Sequence, residues 1–338
     1  MDKKLLVDWL TFTVGIHCLT GVDDDPDALG IMQFSGCNVL QRACDLLGLD
    51  LAQVNFLEKR GFYGYEVGYF CGGIRICWGG CDTVMIDLSG EGCRLVETLV
   101  PDLDWFVVIQ TVCSFSRHNF SRMDIACDTF GELKMQHIFR YAEQRLYISR
   151  WKSLPRIVKG REETVDFGSP QSRTMLRIYN KTLERQCKVD ESTEVPLGWI
   201  RCELQLRNDA VDSFVREWLT CKDISVVYFG ILANQLRFVK RRPEGETNLQ
   251  RLEVVAWWRR FLDNSAPIRL LYKGGLAYNL QSLERYLYGQ AGSSLKTWLV
   301  LSDWNVDKML EMVARRKPND RQKALIHTMT TIEKGGCR

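Results

Sequence analysis

The sequence predicts an α+β fold in which an antiparallel-sheet domain is followed by a mainly helical C-terminal region. In the first two-thirds of the chain, segments of alternating polarity are interrupted by helices without a regular strand–helix repeat. Beyond about residue 210, apolar residues recur at helical spacing instead. We therefore predict a sheet domain at residues 1–210 and a helical, basic region at residues 211–338.

Strands are predicted where β-forming residues alternate in polarity. They cover residues 5–14, 83–88, 122–129, 174–181 and 199–207, with a hairpin at 62–77. Helices are predicted at 38–47 and 133–143, and a turn at Ser89–Gly92. In the C-terminal region, helical spacing covers 211–219, 224–238, 253–263, 280–287 and 304–314. Residues 241–246 are predicted to form a linker, and residues 290–294 a further break.

The charge distribution is uneven although the net charge is only +3. Residues 237–338 contain 19 Lys and Arg against 10 Asp and Glu, whereas the rest of the chain contains 26 against 32. A basic C-terminal third on an acidic body is typical of a protein that docks on a polyanion with one part and holds a cation with the other. A basic surface without a partner gives the same composition, so charge alone leaves both interpretations open.

Thirteen cysteines without a CxxC pair or a secretory signal predict reduced thiols in a cytoplasmic protein. Zinc at Cys71, Cys77 and Cys81 is an alternative, but no histidine lies near them. No apolar run reaches the roughly 18 residues needed to cross a bilayer, so no membrane partner is expected. The sequence also lacks a GxxxxGK[ST] motif, which makes a P-loop ATPase an unfavourable interpretation.

Three of the predicted strands carry polar side chains on one face and apolar side chains on the other. The polar faces consist of Arg122, Asp124, Ala126 and Asp128; of Arg173, Met175, Arg177, Tyr179 and Lys181; and of Arg201, Glu203, Gln205 and Arg207. One solvated face is common in antiparallel sheets. Carboxylates, arginines and a tyrosine–lysine pair together are less ordinary, and neighbouring strands would combine them into one site.

This mixture of side chains suits the cleavage of a phosphodiester. The candidate metal ligands are Asp124, Glu203 and Asp128, because carboxylates bind Mg²⁺ or Mn²⁺ together with a substrate phosphate. The candidate catalytic residues are Tyr179, Lys181, Arg177 and Arg201. Their cationic groups suit phosphate oxygens. A phenol with a pKa near 10 is a better leaving group than an alkanol, so a phosphotyrosine can be reversed by a 3′-hydroxyl.

Several segments in a fixed order resemble those of a known family. They are Val7–Thr13, Leu88–Arg94, Arg122–Asp128, Phe167–Pro170, Arg177–Lys181, Arg201–Arg207 and Trp257–Leu262. Together they resemble the replication initiation factor family, often called Rep_trans, which includes rolling-circle plasmid initiators and relaxases of conjugative elements. The resemblance implies a metal-dependent enzyme that nicks and rejoins one DNA strand through Tyr179. Asp124 and Glu203 match the family's carboxylates best, with Asp8 and Glu184 in reserve.

Residues 1–210, which contain the candidate catalytic residues, are predicted to form the nicking and joining domain, and residues 211–338 a basic DNA-binding region. The resemblance also implies partners. These are double-stranded origin DNA, the nicked single strand, and a helicase or coupling protein from the host or the element, with a homodimer left open. The predicted DNA contacts are Arg173, Arg207, Arg237, Lys240, Arg241, Arg242, Arg259 and Arg260. Several lie beside Phe238 or Trp257, which suits backbone contact with stacking, although a solvated helix end is an equally ordinary reason for basic residues.

Two other functions fit the same residues. The first is a non-catalytic DNA-binding regulator with a degenerate nicking site. The second is a phosphodiesterase in which water attacks the phosphorus and Tyr179 only positions it.

Overall fold

In the computed structural model, a long antiparallel sheet organises most of the chain. The structure describes residues 3–21, 36–188, 194–240, 251–271, 287, 291–318, 323 and 326. The chain divides into two compact units, Met1–Leu271 and Tyr272–Arg338. The predicted functional division at residue 210 stays a prediction.

The described strands and helices follow one another in mixed order. The strands are β1 (Lys4–Gly15), β2 (Leu57–Arg60), β3 (Val67–Cys71), β4 (Ile74–Trp78), β5 (Thr83–Leu88), β6 (His118–Phe130), β7 (Tyr147–Ser149), β8 (Arg156–Val158), β9 (Thr164–Gly168), β10 (Thr174–Asn180), β11 (Trp199–Arg207) and β12 (Leu236–Phe238). The helices are α1 (Ile16–Thr20), α2 (Gly36–Leu46), α3 (Gly90–Leu99), α4 (Trp105–Ser114), α5 (Met135–Glu143), α6 (Lys181–Gln186), α7 (Asp209–Cys221), α8 (Ile224–Gln235), α9 (Ala256–Phe261), α10 (Gly292–Leu301) and α11 (Val306–Ala314).

Ten strands of the larger unit form one sheet in the order β2-β3-β4-β5-β1-β6-β11-β10-β9-β8. Every pairing in it is antiparallel. Strands β7 and β12 form a separate antiparallel pair. The predicted α+β class with an antiparallel sheet is confirmed.

The central strands have one apolar face, as their alternation predicts. Ile125 of β6, Leu204 of β11 and Ile178 of β10 are fully buried. Each contributes roughly 1.5–3 kcal/mol of stabilisation through removal from water. Helix α7 packs against β6 and β11, and Tyr228 of α8 donates a hydrogen bond to the Cys202 carbonyl at 2.7 Å. The opposite face of these strands carries the polar side chains.

One predicted turn is wrong, because helix α3 begins where the sequence suggested Ser89–Gly92. Ser89 is the N-cap and accepts a hydrogen bond from the Gly92 amide at 3.5 Å. A Cβ on Gly92 would lie 2.4 Å from the Gly73 carbonyl oxygen. The glycine therefore permits close backbone approach, which the sequence pattern does not distinguish from a turn.

Other boundaries differ from the predicted ones. The helix predicted at 224–238 ends at Gln235, because Leu236–Phe238 pairs with β7. The helix predicted at 253–263 covers only Ala256–Phe261. The break predicted at 290–294 is wrong from Gly292 onward, where α10 begins. The predicted linker at 241–246, and the predicted helix at 280–287 except for its last residue, lie outside the described residues.

The smaller unit contains α10 and α11. Asn305 caps α11 by accepting a hydrogen bond from the Lys308 amide at 2.9 Å. Trp304 before it is 60% exposed and has a positive φ of 55°. Across both units, no helix in the described ranges has the length and apolar character of a membrane span.

Candidate functional site

The three polar strands predicted to share a site lie side by side as β6, β11 and β10. Their registers place Tyr179 opposite Arg201, and Arg201 opposite Asp128. In the next row on the same face, Arg177 lies opposite Glu203. Side chains from strands that are far apart in sequence are therefore neighbours on one surface.

Tyr179 lies near the end of β10, next to the start of α6. Asn180 caps this helix by accepting a hydrogen bond from the Leu183 amide at 3.2 Å. Lys181 Nζ donates to the Tyr179 hydroxyl at 3.4 Å. Tyr179 lines a cleft of about 370 Å³ together with Glu163 and Arg177 among others. The phenol is thus accessible from a cleft of a size suited to a nucleotide unit.

Burial raises the pKa of the Tyr179 hydroxyl well above its usual range. The negative charges of Glu203, Asp8 and Glu184 raise the pKa further, and Arg201 opposes them. Three carboxylates are therefore near enough to act on the phenol electrostatically. As it stands, this environment favours the neutral hydroxyl over the phenolate.

Arg201 joins two carboxylates within what we call the Tyr179 cluster: Tyr179, Arg201, Glu203, Asp8 and Asp128. Its Nε and Nη2 atoms donate to the two carboxylate oxygens of Asp128, both at 2.7 Å. Its Nη1 donates to Asp8 Oδ1 at 2.8 Å. Both oxygens of Asp128 are consequently engaged in a bidentate ion pair.

Asp8 enters the cluster through an irregularity of β1. The pairing of β1 with β6 shifts between Val7 and Trp9, so that Asp8 is the extra, bulged residue. A bulge redirects the side chain and bends the strand. The sequence analysis gave Asp8 only as a reserve candidate for the site carboxylates, because the alternation of polar and apolar residues does not reveal a bulge.

Glu203 is buried but forms no ion pair with any residue that the structure describes. Its Oε1 accepts a hydrogen bond from Gln205 Nε2 at 2.7 Å. Burial raises the pKa of Glu203, and the negative charge of Asp8 raises it further, while Arg177 and Arg201 oppose this. Glu203 and Asp8 are therefore two carboxylates whose mutual repulsion a cation would relieve.

Asp124, the remaining predicted metal ligand, is paired with Arg122. Arg122 donates to both of its oxygens, at 3.1 Å from Nε and at 2.5 Å from Nη2 to Oδ2. Burial raises the pKa of Asp124 to about 7 although Arg122 lowers it. In the described part of the chain, no three His, Cys, Asp or Glu side chains form a ready metal-binding group. The ligand assignment from sequence stays a prediction.

Arg177 is held at the cleft by a residue that the sequence did not single out. Asp166 of β9 accepts from Arg177 Nε at 3.0 Å through Oδ1 and from Arg156 Nη1 at 3.0 Å through Oδ2. Asp166 lies directly opposite Arg177 in the sheet. Asp166 belongs to none of the polar strand faces or family-like segments found in the sequence. Only its pairing with β10 identifies it.

The predicted DNA contacts do not gather around Tyr179. Arg173 and Arg207 lie at the far end of β10 and β11, joined by a backbone hydrogen bond of 2.9 Å. The others that are described are Arg237, which donates to the Leu252 carbonyl, Lys240, which pairs with Glu253, and the exposed Arg259 and Arg260 on α9. Arg241 and Arg242 lie outside the described residues.

The sequence matches two protein-family models. Residues 118–313 match the family model of the replication initiation factor. Residues 31–111 match that of the rolling circle replication initiation protein N-terminal domain.

Two individual proteins are also similar to this chain. A Bacillus subtilis (strain 168) protein named "Putative DNA relaxase NicK" is 25% identical over 297 residues, which cover 82% of each chain. The solved structure of a rolling circle replication initiator protein from Geobacillus stearothermophilus aligns with a TM-score of 0.61. The two sequences are 24% identical, and the alignment covers 80% of this chain and 99% of the other. This second similarity establishes the fold.

Proposed function

This chain belongs to the replication initiation factor family, a family of DNA-nicking initiators and relaxases, and from that premise we propose that Tyr179 is its nucleophile. The enzyme cuts one strand at a specific site and keeps the new 5′ end as a phosphotyrosine, which starts rolling-circle replication or conjugative transfer. One observation carries the proposal: the Tyr179 phenol lines an open cleft and is surrounded by carboxylates and arginines.

The proposed reaction is a transesterification that needs no nucleotide cofactor. The Tyr179 oxygen attacks the scissile phosphorus, its proton leaves to water, and a new phosphorus–oxygen bond forms. The bond to the 3′ oxygen breaks, and that oxygen takes up a proton as a 3′-hydroxyl. Because the phenolate is a good leaving group, attack by a 3′-hydroxyl reverses the adduct and reseals the strand.

The basic residues of the site have separate roles in this proposal. Arg177 is about one-third exposed toward the cleft and is oriented by Asp166, so it contacts the scissile phosphate. Lys181 donates to the phenol oxygen and stabilises the phenolate as it forms. Arg201 is buried and serves Asp8 and Asp128, so it is a positioning residue that holds the Tyr179 cluster together.

Proteins of this family generally depend on a divalent cation. We place Mg²⁺ or Mn²⁺ at Glu203 and Asp8, completed by phosphate oxygens, because both oxygens of Asp124 and of Asp128 are already bonded to arginines. When bound, the cation would neutralise the scissile phosphate and lower the pKa of Tyr179. Glu203 and Asp8 alone act in the opposite direction on the phenol.

The test uses supercoiled DNA of the element that encodes the protein, incubated with Mn²⁺. We expect the wild type to convert it to open circles and to leave protein attached to the 5′ end. Tyr179→Phe removes the nucleophile and should abolish both products while leaving strand binding nearly unchanged. Tyr147→Phe, a half-buried tyrosine of β7, is the matched control and should nick normally.

Three outcomes would contradict the proposal. Nicking by Tyr179→Phe at the wild-type rate would exclude the tyrosine as nucleophile. Nicking by the wild type without attached protein would identify water as the attacking group. Binding without nicking under every metal condition would favour a DNA-binding regulator.

A further inference from the structure

A second group of polar side chains lies on the same sheet face, away from Tyr179. We call it the Trp9 cluster: Trp9, Arg75, Asp87, Arg122 and Asp124. These residues come from β1, β4, β5 and β6, which are consecutive strands. With ~4.8 Å between strands and ~3.4 Å per residue, Trp9 lies roughly 20 Å from Tyr179.

Two arginines lie close to the Trp9 indole ring. The Arg122 guanidinium is 3.9 Å from the ring centroid and that of Arg75 is 6.0 Å away. The indole Nε1 donates to Asp87 Oδ1 at 2.9 Å, which fixes the ring plane. Arg75 also lies 5.9 Å from the centroid of Phe62. Guanidinium groups and aromatic rings thus alternate from Arg122 to Phe62.

This alternating series ends in exposed aromatic rings. Phe62 is 49% exposed and Tyr63 is 87% exposed. Tyr63 has a φ of 54°, in the left-handed region that is unfavourable for a bulky side chain. An exposed ring in a costly backbone conformation contributes little to folding stability. Residues held in such conformations cluster at binding and catalytic sites.

The charges of the Trp9 cluster are balanced. Arg75 pairs with Asp87 at 2.7 Å, and Arg122 pairs with Asp124 at 2.5 Å. Because both arginines of the cluster already have a carboxylate partner, they offer little attraction to the phosphates of a duplex, whose binding depends on excess basic charge. Exposed rings backed by guanidinium groups are instead suited to stacking on bases, and only unpaired bases present their faces.

We propose that Phe62, Tyr63 and the Trp9 cluster form a base-stacking site for unpaired nucleotides of the strand that is cut. The site lies on the same sheet face as Tyr179, so one strand can reach both. Lys59 and Arg60 are exposed on the adjoining strand β2 and are available to the phosphates between the stacked bases. The inference rests on the proposed function only in its choice of DNA as the ligand.

Tyr63→Gly tests this site without harming the fold. Glycine accepts the left-handed backbone, so the variant should unfold at the same or a higher temperature than the wild type. It should nevertheless bind a labelled oligodeoxythymidine of about 30 nucleotides roughly tenfold more weakly, in EDTA, by fluorescence anisotropy. Affinity for a mixed-sequence duplex of the same length should stay unchanged.

Trp304→Gly is the matched control, because Trp304 is also an exposed aromatic residue with a positive φ but belongs to the smaller unit. It should leave oligodeoxythymidine binding unchanged. Ultraviolet crosslinking of a 5-bromodeoxyuridine-substituted strand should identify the peptide that contains Phe62 and Tyr63. Equal losses on single strands and duplex, or no loss for Tyr63→Gly, would overturn the proposed stacking site.

These results separate the stacking site from the nicking function. If Tyr179→Phe nicks normally while Tyr63→Gly binds the strand weakly, the stacking site stands and the nucleophile is another group. If Tyr179→Phe is inactive and Tyr63→Gly binds normally, the nucleophile stands and the stacking site is wrong.

Discussion

The two ends of the polar sheet face differ in how their charges are balanced. In the Trp9 cluster each aspartate has its own arginine. In the Tyr179 cluster, Arg201 forms ion pairs with both Asp8 and Asp128. Glu203 forms no ion pair with any described residue. Burial raises the pKa of Tyr179 and of Glu203, and the neighbouring carboxylates raise both further. One sheet face thus carries two groups of charged side chains, one with paired aspartates and one with more carboxylates than its arginine can pair.

The largest effect is expected from Arg201→Gln, because it leaves two carboxylates at the buried end of an ion network without a partner. We expect a loss of about 3–5 kcal/mol in the free energy of unfolding, measured by urea denaturation, and no nicking. Arg122→Gln is the comparison at the other end. It should cost less, because Asp124 has a pKa of about 7 and takes up a proton readily. Equal costs would show that the two clusters are balanced alike.

Glu203→Gln should separate stability from activity. The folded-state pKa of Glu203 is raised, so its charge destabilises the fold progressively as the pH rises above the unfolded-state value of 4.5. The variant should therefore be more stable than the wild type at about pH 8 and similar at about pH 4. Its nicking rate should fall by roughly 100-fold or more, because a cation ligand is lost. A variant that is destabilised at alkaline pH, or that nicks normally, would contradict this assignment.

Asp124→Asn should change the pH dependence of stability while retaining nicking within a few-fold. The folded-state pKa of about 7 lies above the unfolded value of 3.8, so the wild type loses stability as the pH rises between these values. In the wild type, this loss of unfolding free energy amounts to a few kcal/mol. The variant lacks the titrating carboxylate and should lose less. Thermal unfolding should thus depend less on pH in the variant than in the wild type. An unchanged pH profile would show that Asp124 titrates normally.

The smallest effect concerns the cap of α6. Asn180→Ala removes the hydrogen bond to the Leu183 amide and should cost about 1 kcal/mol. Because α6 begins directly after Tyr179, nicking should also fall several-fold. Asp223→Ala removes a comparable cap from α8, at 2.8 Å from the Ser225 amide, and should cost as much stability without changing nicking. The same fall in both variants would mean that stability alone controls the rate.

The sequence was sufficient to predict the polar faces of β6, β10 and β11, because their period of two persists through each strand. The polar faces form one site only if the three strands are neighbours, which the sequence pattern alone does not establish. The strand pairing in the structure shows that they are neighbours. Asp8 was harder to place, since a bulge changes which face a residue occupies. The pairing of Arg201 with Asp128 joins residues 73 positions apart, which no local pattern encodes. The start of helix α3 was predicted as a turn because of its glycines. In the structure, Gly92 instead allows the helix to approach the Gly73 backbone closely.

The most direct test of Tyr179 as the nucleophile identifies the residue that carries the DNA. The wild-type protein would be reacted with its origin strand and Mn²⁺, digested with trypsin and nuclease, and analysed by mass spectrometry. Cleavage after Arg177 and Lys181 yields the peptide Ile178–Lys181, which contains Tyr179 as its only tyrosine. We expect a nucleotide to be attached to this peptide through a phosphodiester. A nucleotide on any other peptide, or nicked DNA with no modified peptide, would contradict it.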